Sequence, residues 1–220
     1  MTRIKICGLK RSEGIGIVNE LLPDYGGFII NFPKSHRNLT PMQVRRLTEK
    51  LDRNHILAVG VFVDRPVEEV AELLNDGTLD LAQLHGGEDE KYIRNLRELT
   101  DRKIIKAFTV HDQRSLERAA RCGADHILLD QGQGSGVTFD WSVLESPAAV
   151  KVFGTTGLPR GEWFLAGGLN EENIAGAVRR FKPYGVDLSS AAETNQIKDR
   201  EKVGRLIQKV RNADKMVDTK

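Results

Sequence analysis

The chain has 220 residues, enough for one sizeable hydrophobic core. Its 33 lysines and arginines nearly balance its 31 aspartates and glutamates, and the two signs are interspersed, which argues against a nucleic-acid-binding or membrane-binding surface. No apolar run is long enough to cross a membrane, and the first residues lack the apolar segment of a secretory signal. Cys7 and Cys122 are therefore expected to be free thiols in a reducing cytoplasm.

Runs of apolar or β-branched residues recur along the chain at intervals that predict strands. They lie at residues 2–6, 26–31, 56–63, 80–84, 103–108, 125–129, 163–166 and 185–188. Most segments between them have helical spacing, as at 41–51, 66–74, 88–99 and 115–121. Alternating strands and helices predict right-handed βαβ units and a parallel sheet. Eight such units predict an α/β fold, a (β/α)₈ TIM barrel in which residues 1–220 form a single domain.

A doubly wound open sheet is the alternative architecture, but it usually has fewer strands, and no Gly-x-Gly-x-x-Gly follows the first strand.

Thr40 and Pro41 predict a capped helix start, and Asn170 predicts a cap for a helix from Glu171. Prolines and glycines in 142–162 predict a shortened sixth helix and an irregular connection.

The active site of such a barrel lies at the C-terminal ends of its strands, so the polar residues at those ends are the candidates for function. In chain order they are Cys7, Lys34, Ser35, Arg37, Asp64, His85, Asp130, Gly167, Gly168, Ser189 and Ser190. Their recurrence at successive strand ends is a stronger signal than any one of them alone.

Two of these groups predict a phosphate site. Gly167 and Gly168 let the backbone approach an anion, and Ser189 and Ser190 begin a short extra helix whose N-terminal N–H groups favour negative charge. The loops after the seventh and eighth strands are the usual phosphate site of these barrels. The alternative is that the glycines form only a tight turn before a capped helix.

Cys7 and Asp130 are the candidate general base and general acid. A thiol becomes a useful thiolate near neutrality if a positive field lowers its pKa, and a carboxylic acid donates a proton at pH 7 if its site raises its pKa. Such a pair on opposite sides of a barrel mouth suits an isomerisation that moves a proton between neighbouring carbons. The alternatives are a small buried hydrophobe for Cys7 and a loop cap for Asp130.

Arg37 is predicted either to hold a substrate carboxylate bidentately or to be an ordinary surface arginine. His85 either contacts the substrate or bonds within the barrel mouth. No metal is predicted there, because no second histidine stands at ligand spacing. Side chains two apart on a strand share a face, so Lys5 shares a face with Cys7, and Asp187 shares a face with Ser189. The first and eighth strands are neighbours in a closed barrel, so Lys5 and Asp187 are predicted to point inward and to pair with each other.

Motifs that run in order across nearly the whole chain give it a resemblance to a known family. The segments are Lys5–Leu9, Lys34–Arg37, Gln83–Gly86, Leu128–Asp130, Gly134–Trp141, Leu165–Asn170, Gly185–Ser190, Glu193–Thr194 and Lys198–Asp199. Each is weak alone, but the ordered set is specific. The chain resembles the phosphoribosylanthranilate isomerases of tryptophan biosynthesis.

The resemblance implies a cofactor-free and metal-free barrel in the cytoplasm, a monomer or homodimer. It implies an Amadori rearrangement of N-(5′-phosphoribosyl)anthranilate to 1-(2-carboxyphenylamino)-1-deoxyribulose 5-phosphate, with this small phosphorylated molecule as the partner. Asp130 would protonate the ribose ring oxygen, Cys7 would remove the C2′ proton, and Arg37 would bind the anthranilate carboxylate. Gly167, Gly168, Ser189 and Ser190 would bind the phosphate, beside His85 as a further substrate contact.

The chain departs from the family pattern at four places. His36 replaces a usual proline, and Gln133, Ala191 and one position of Asn195–Ile197 replace usual glycines. None of these changes removes a catalytic group, but the two nearest the phosphate loops are expected to weaken substrate binding.

Three other functions compete with this prediction. The related histidine-pathway isomerase needs a second phosphate site, and residues 61–65 offer no Gly-Gly turn for it. It also usually works with paired aspartates rather than a cysteine. A barrel that only binds a phosphorylated metabolite needs neither Cys7 nor Asp130. An indole-glycerol-phosphate type lyase needs a set of lysines and glutamates at strand ends that the sequence does not show.

Overall fold

The computed structural model describes residues 1–110, 113–130, 144 and 163–217. The strands are β1 Arg3–Cys7, β2 Tyr25–Ile30, β3 Asn38–Leu39, β4 Leu57–Phe62, β5 Leu81–Leu84, β6 Lys103–Thr109, β7 His126–Asp130, β8 Trp163–Leu165, β9 Gly185–Leu188, β10 Glu193–Thr194 and β11 Ile197–Lys198. The helices are α1 Ser12–Leu21, α2 Pro41–Thr48, α3 Val67–Asn75, α4 Glu90–Leu99, α5 Gln113–Arg121, α6 Ile174–Phe181 and α7 Arg200–Val217. A 3₁₀ helix spans Ser190–Ala192.

Eight parallel strands close into a ring. Their order is β1, β9, β8, β7, β6, β5, β4 and β2, and β2 pairs with β1 to complete the circle. The short strand β3 pairs alongside the end of β2. The predicted (β/α)₈ TIM barrel is therefore confirmed, and the open-sheet alternative is excluded because an open sheet has two unpaired edges.

The core has two layers because successive side chains on a strand point to opposite faces. A large outer cluster packs the strands against the surrounding helices. A smaller cluster fills the barrel interior with Tyr25, Val59, Leu81, Ile105, Ala107, Leu128, Phe164 and Ala166. Leu81 and Leu128 point into the barrel, and every second residue along a strand points the same way. His85 and Asp130 therefore also point toward the interior, at the ends of β5 and β7.

Local signals set several helix starts. Thr40 caps α2 with a reciprocal capping box, in which Thr40 Oγ1 accepts from the Gln43 N–H and Gln43 Oε1 accepts from the Thr40 N–H. The prediction for Asn170 needs correction. Its side chain does accept the N–H groups of Glu172 and Asn173, but these belong to a preceding turn, and α6 begins at Ile174.

An antiparallel hairpin follows the 3₁₀ helix and places two charged residues side by side. Strands β10 and β11 pair Glu193 with Lys198. The turn uses Asn195 and Gln196, both with positive φ (50° and 62°). The resemblance implies a glycine in this turn. A two-residue hairpin turn uses positive φ, which glycine adopts without strain and most other residues adopt only at a cost. The chain therefore makes this turn at some conformational cost.

Two predictions fall outside the described residues. The shortened sixth helix predicted in 142–162, Leu144 excepted, and the departure at Gln133 lie outside the described residues. Within the described helices, none combines the length and the apolarity needed to cross a bilayer.

Candidate active site

Cys7 ends β1 with its thiol inside the barrel mouth, where the residue is 6% exposed. Its neighbour across the sheet is Gly27 on β2. A Cβ at Gly27 would lie 2.9 Å from Cys7 Sγ, closer than real Cβ contacts allow, and 3.0 Å from Lys5 Nζ, which is tighter than most of them. Glycine at this position therefore makes room for the thiol and the ammonium group together.

The predicted pair between Lys5 and Asp187 is confirmed. The two residues are register partners on β1 and β9, and Lys5 Nζ lies 3.0 Å from each carboxylate oxygen of Asp187. The Lys5 side chain is completely buried. Burial lowers the pKa of Lys5, but the charge and hydrogen bonds of Asp187, with a further contribution from Cys7, outweigh it, so the net pKa is raised. The ammonium group is therefore held charged beneath Cys7.

The environment of the thiol opposes its ionisation. Burial raises the pKa of Cys7 most strongly, Lys5 lowers it, and Asp187 raises it again, so that the net pKa lies above the ordinary thiol value. The positive field of Lys5 is present, as a thiolate base requires, but the Asp187 carboxylate offsets much of it. Cys7 therefore rests as the thiol at neutral pH, and its thiolate is a minor species.

Arg37 reaches the barrel mouth over Gly8, the residue after Cys7. Gly8 has a φ of +83°, and a Cβ there would overlap Arg37 Cδ. The Arg37 guanidinium bonds side-on to Glu193, with Nε 2.7 Å from Oε1 and Nη2 2.7 Å from Oε2. Ser35 supports the loop by accepting the Arg37 N–H at 3.1 Å. The carboxylate that meets Arg37 here is thus one of the protein's own.

Glu193 and Lys198 are further functional candidates. They were not among the polar residues predicted at the strand ends, because they lie on the hairpin after the eighth barrel strand. Lys198 Nζ lies 2.7 Å from Glu193 Oε1, and both side chains are almost fully buried. Burial raises the pKa of Glu193, but hydrogen bonds and charges from Arg37 and Lys198 outweigh it and lower that pKa from its ordinary 4.5 to about 2. The signal available in the sequence was the motif Glu193–Thr194 followed by Lys198–Asp199.

This lowered pKa predicts an acid-sensitive contribution to stability. A carboxylate whose pKa is depressed in the folded state stabilises the fold fully above its unfolded pKa of about 4.5, and this contribution is lost as the pH falls toward 2. We expect Glu193→Gln to be less stable than the wild type at pH 7 and the difference to shrink steadily between pH 4.5 and 2. Urea unfolding at several pH values measures it, and a difference that does not change with pH would contradict the assignment.

His85 and Asp130 meet at the other side of the mouth. His85 Nε2 lies 3.5 Å from Asp130 Oδ2, and His85 Nδ1 lies 2.8 Å from the amide nitrogen of Gln83. With that amide donating to Nδ1, the proton of a neutral His85 sits on Nε2 and faces the Asp130 carboxylate. The structure therefore supports the bonding role of His85 within the mouth and places it beside the candidate acid.

Asp64, the strand-end residue of β4, has a structural role. Its carboxylate accepts the Gly87 N–H at 2.6 Å, and its own N–H donates to Glu88 at 2.8 Å. The buried Glu88 carboxylate also accepts the Gly86 N–H and pairs with Lys106 at 2.9 Å. This network orders the loop that carries His85.

The two predicted phosphate loops lie next to each other, after the adjacent strands β8 and β9. Gly167 and Gly168 have φ values of +82° and +67°, a conformation that glycine adopts without strain. The Ser189 hydroxyl is 3.4 Å from the Cys7 carbonyl oxygen, and Ser190 begins the 3₁₀ helix. The loops thus border the end of β1, where the thiol lies.

The predicted residues come from different parts of the ring. Cys7 and Asp130 end strands three places apart in the closed sheet, with the phosphate loops on the strands between them. Arg37 lies on the far side of Cys7, beyond Gly8. Cys122 lies between α5 and β7, at the opposite end of the barrel, and is buried in the outer core. Among the described residues, no group of three or more His, Cys, Asp or Glu is arranged to hold a metal ion.

Comparisons with known proteins agree on one family. The model of the N-(5′-phosphoribosyl)anthranilate isomerases matches residues 4–209. The enzyme of this name from Endomicrobium trichonymphae is 43% identical over 208 residues, which are 92% of this chain and 95% of that protein.

Solved structures of isomerases with the same name are also similar. One is in complex with reduced 1-(o-carboxyphenylamino)-1-deoxyribulose 5-phosphate, with a TM-score of 0.80, 33% identity, and coverage of 96% of this chain and 100% of that one. Another, with monomers of the dimeric isomerase from Thermotoga maritima, has a TM-score of 0.79 and 32% identity at the same coverage.

Proposed function

The chain belongs to the N-(5′-phosphoribosyl)anthranilate isomerase family, the aldose–ketose isomerases of tryptophan biosynthesis, and on this premise we propose that Cys7 and Asp130 are its base and acid. The observation that carries the proposal is their placement. Each is the last residue of a barrel strand and points into the barrel, and the two lie on opposite sides of a mouth that also holds Arg37. A proton that moves between neighbouring carbons needs two such groups, one to give and one to take.

Asp130 acts first, as a carboxylic acid beside His85. It gives its proton to the ribose ring oxygen while the anthranilate nitrogen lone pair forms a double bond to C1′, and the bond from C1′ to the ring oxygen breaks. The product is an open-chain iminium ion, and the proton on Asp130 has moved to the C4′ hydroxyl. The His85 Nε2 proton stabilises the carboxylate that remains.

Cys7 acts second, as the thiolate. It removes the proton from C2′, and the electrons of that C–H bond form the C1′–C2′ double bond while the iminium nitrogen becomes neutral. The resulting enolamine then tautomerises to the 2′-ketone, so that the product is an isomer of the substrate. The Lys5 ammonium lowers the pKa of Cys7 and so favours the thiolate, whereas burial raises that pKa but keeps water away from the thiolate once it has formed.

Substrate binding uses the remaining mouth residues. Arg37 binds the anthranilate carboxylate, and the backbones at Gly167–Gly168 and Ser189–Ser190 bind the phosphate. The positive φ values of both glycines and the proximity of Ser189 to Cys7 support this arrangement. His85 contributes through its contact with Asp130.

The proposal also covers the domain organisation, the cellular compartment and the oligomeric state. Residues 1–220 form one domain whose active site lies at the C-terminal ends of the strands. Two free buried thiols, Cys7 and Cys122, fit a cytoplasmic enzyme. The chain works as a monomer or a homodimer, and one relative with a solved structure is dimeric.

The loss of phosphoribosylanthranilate fluorescence on addition of the purified protein tests the function. Because the substrate is unstable, it is generated in the cuvette from ribose 5-phosphate and anthranilate. We expect turnover in the range of ordinary enzymes, about 1–10³ s⁻¹. Binding of phosphate analogues without turnover would overturn the proposal in favour of a binding protein.

A further inference from the structure

A buried cluster of charges connects the predicted carboxylate site to the predicted phosphate loop. Glu193 accepts from Arg37 Nε and Nη2 and from Lys198 Nζ, each at 2.7 Å. Lys198 Nζ also donates to the Ser189 carbonyl oxygen at 3.0 Å. One unbroken chain of hydrogen bonds therefore runs from the Arg37 guanidinium through Glu193 and Lys198 to the phosphate-loop backbone.

Glu193 restricts the ways in which Arg37 can meet a ligand. A guanidinium offers a carboxylate two bidentate edges, and Glu193 occupies the one formed by Nε and Nη2. Within the described residues, the hydrogen bonds of this side chain go to Glu193, so the edge formed by Nη1 and Nη2 is the one that remains for a second carboxylate.

The charge of the cluster suits an anion. Arg37 and Lys198 carry two positive charges against one negative charge on Glu193; burial lowers the pKa of Lys198, but the hydrogen bond and the charge of Glu193 oppose that shift. His36, 3.8 Å from Glu193, adds none near neutrality, because burial and the charges of Arg37 and Lys10 lower its pKa. The net charge of +1 matches one substrate carboxylate, whereas Arg37 and Glu193 alone would present no net charge.

The hairpin makes this arrangement rigid. Glu193 and Lys198 are register partners on β10 and β11, and their side chains are 6% and 3% exposed. Lys202 on α7 donates to the Glu193 carbonyl oxygen at 2.8 Å. Buried, fully bonded charges of this kind have few alternative rotamers, so the position of the guanidinium depends on the hairpin rather than on the flexible Arg37 side chain.

We propose that Glu193 and Lys198 are positioning residues that hold Arg37 at a set distance from the Ser189–Ser190 loop, and so select substrates that carry both a carboxylate and a phosphate at that separation. The proposal rests on the proposed function of Arg37 and the phosphate loops. Neither residue touches the reacting carbons. Their effect is on which substrates bind productively.

Two substrates generated in place from ribose 5-phosphate separate this role from a purely structural one. The first uses anthranilate, and the second uses aniline, which lacks the carboxylate. In Glu193→Gln we expect kcat/KM for the anthranilate substrate to fall about 10- to 100-fold, mostly through KM, because the charge-assisted contact that orients Arg37 is weakened. For the aniline substrate, followed by chromatography of its ribulose product, we expect the wild type and the variant to be nearly equal.

Variants of Lys198 test the connection to the phosphate. Lys198→Met removes both the charge and the donor to Ser189, so we expect weaker inhibition by inorganic phosphate as well as a raised KM. Lys198→Arg keeps the charge and should restore part of each property. Glu193→Asp provides a second variant if Glu193→Gln does not fold. It keeps the charge but is too short to meet both guanidinium nitrogens and Lys198 together.

The outcomes distinguish a failure of the proposed function from a failure of the positioning role. If the wild type does not convert the anthranilate substrate, the proposed function fails. If it does, and Glu193 variants lose activity equally with both substrates, the positioning role is wrong and the cluster only stabilises the fold. Thermal unfolding of every variant confirms that the rates compare folded proteins.

Discussion

Cys7→Ser and Asp130→Asn should each lower kcat by about 10²- to 10⁴-fold, the range that general acid–base groups contribute. Serine keeps the size of the side chain but is far too weak an acid to form an oxyanion beside Lys5. Asparagine keeps the shape of Asp130 but has no carboxylic proton to give to the ribose ring oxygen. The fluorescence assay under saturating substrate measures both losses.

Cys122→Ser is the matched control for the thiol. Cys122 is also free and buried, but it lies at the opposite end of the barrel from Cys7. We expect this variant to keep wild-type kcat within about twofold, since it touches no reacting group. If Cys7→Ser retained most of its activity while folded, another group would be the base and the proposed mechanism would be wrong.

The raised pKa of Cys7 adds a pH signature to the same result. Burial places this pKa above the ordinary thiol value, so the thiolate fraction grows about tenfold per pH unit through the neutral range. In Asp130→Asn, where no acid has to keep its proton, the residual kcat/KM should therefore rise with pH in that range. The residual rate of Cys7→Ser should lack this rise, because no thiol titrates there.

The second large effect concerns stability. Replacing either member of the Lys5–Asp187 pair alone, as Lys5→Met or Asp187→Asn, should lower the free energy of unfolding by about 3–5 kcal/mol, because the other charge is left buried without its partner. The double variant should recover a large part of the loss, since it removes both charges. Urea unfolding at pH 7 gives all four free energies and hence the coupling between the residues.

An exposed ion pair provides the control for that experiment. Arg45 bonds to Glu72 and Asp76 on the surface, with its side chain 36% exposed. Arg45→Met should cost no more than about 1 kcal/mol, the usual limit for exposed pairs. If the Lys5 and Asp187 variants lost as little, the pair would not be desolvated in the way that its burial indicates.

Periodicity predicted the barrel and part of its site. Side chains alternate along a strand, and the first and last strands of a closed barrel are neighbours, so Lys5 and Asp187 could be paired although they are 182 residues apart. The same alternation carried Cys7 and Asp130 into the barrel mouth. These predictions depend on the backbone geometry of strands, which any sequence with this pattern shares.

The contacts of Arg37 could not be predicted in this way. Glu193 lies 156 residues further along the chain, on a hairpin outside the barrel strands, so no periodic pattern relates the two. The helix start after Asn170 was misplaced for a similar reason. Asn170 caps a turn as readily as a helix, and the surrounding structure decides which of them follows.

The sequence by itself determined the architecture, the family and the residues at the strand ends, because hydrophobic alternation and ordered motifs are properties of the chain. Only the tertiary structure decided the electrostatics of the site. Whether a thiol is ionised, or whether an arginine already holds a carboxylate, depends on burial and on charges brought within a few ångströms from distant segments. Desolvation and Coulomb energy vary with distance in space, which the order of residues does not contain.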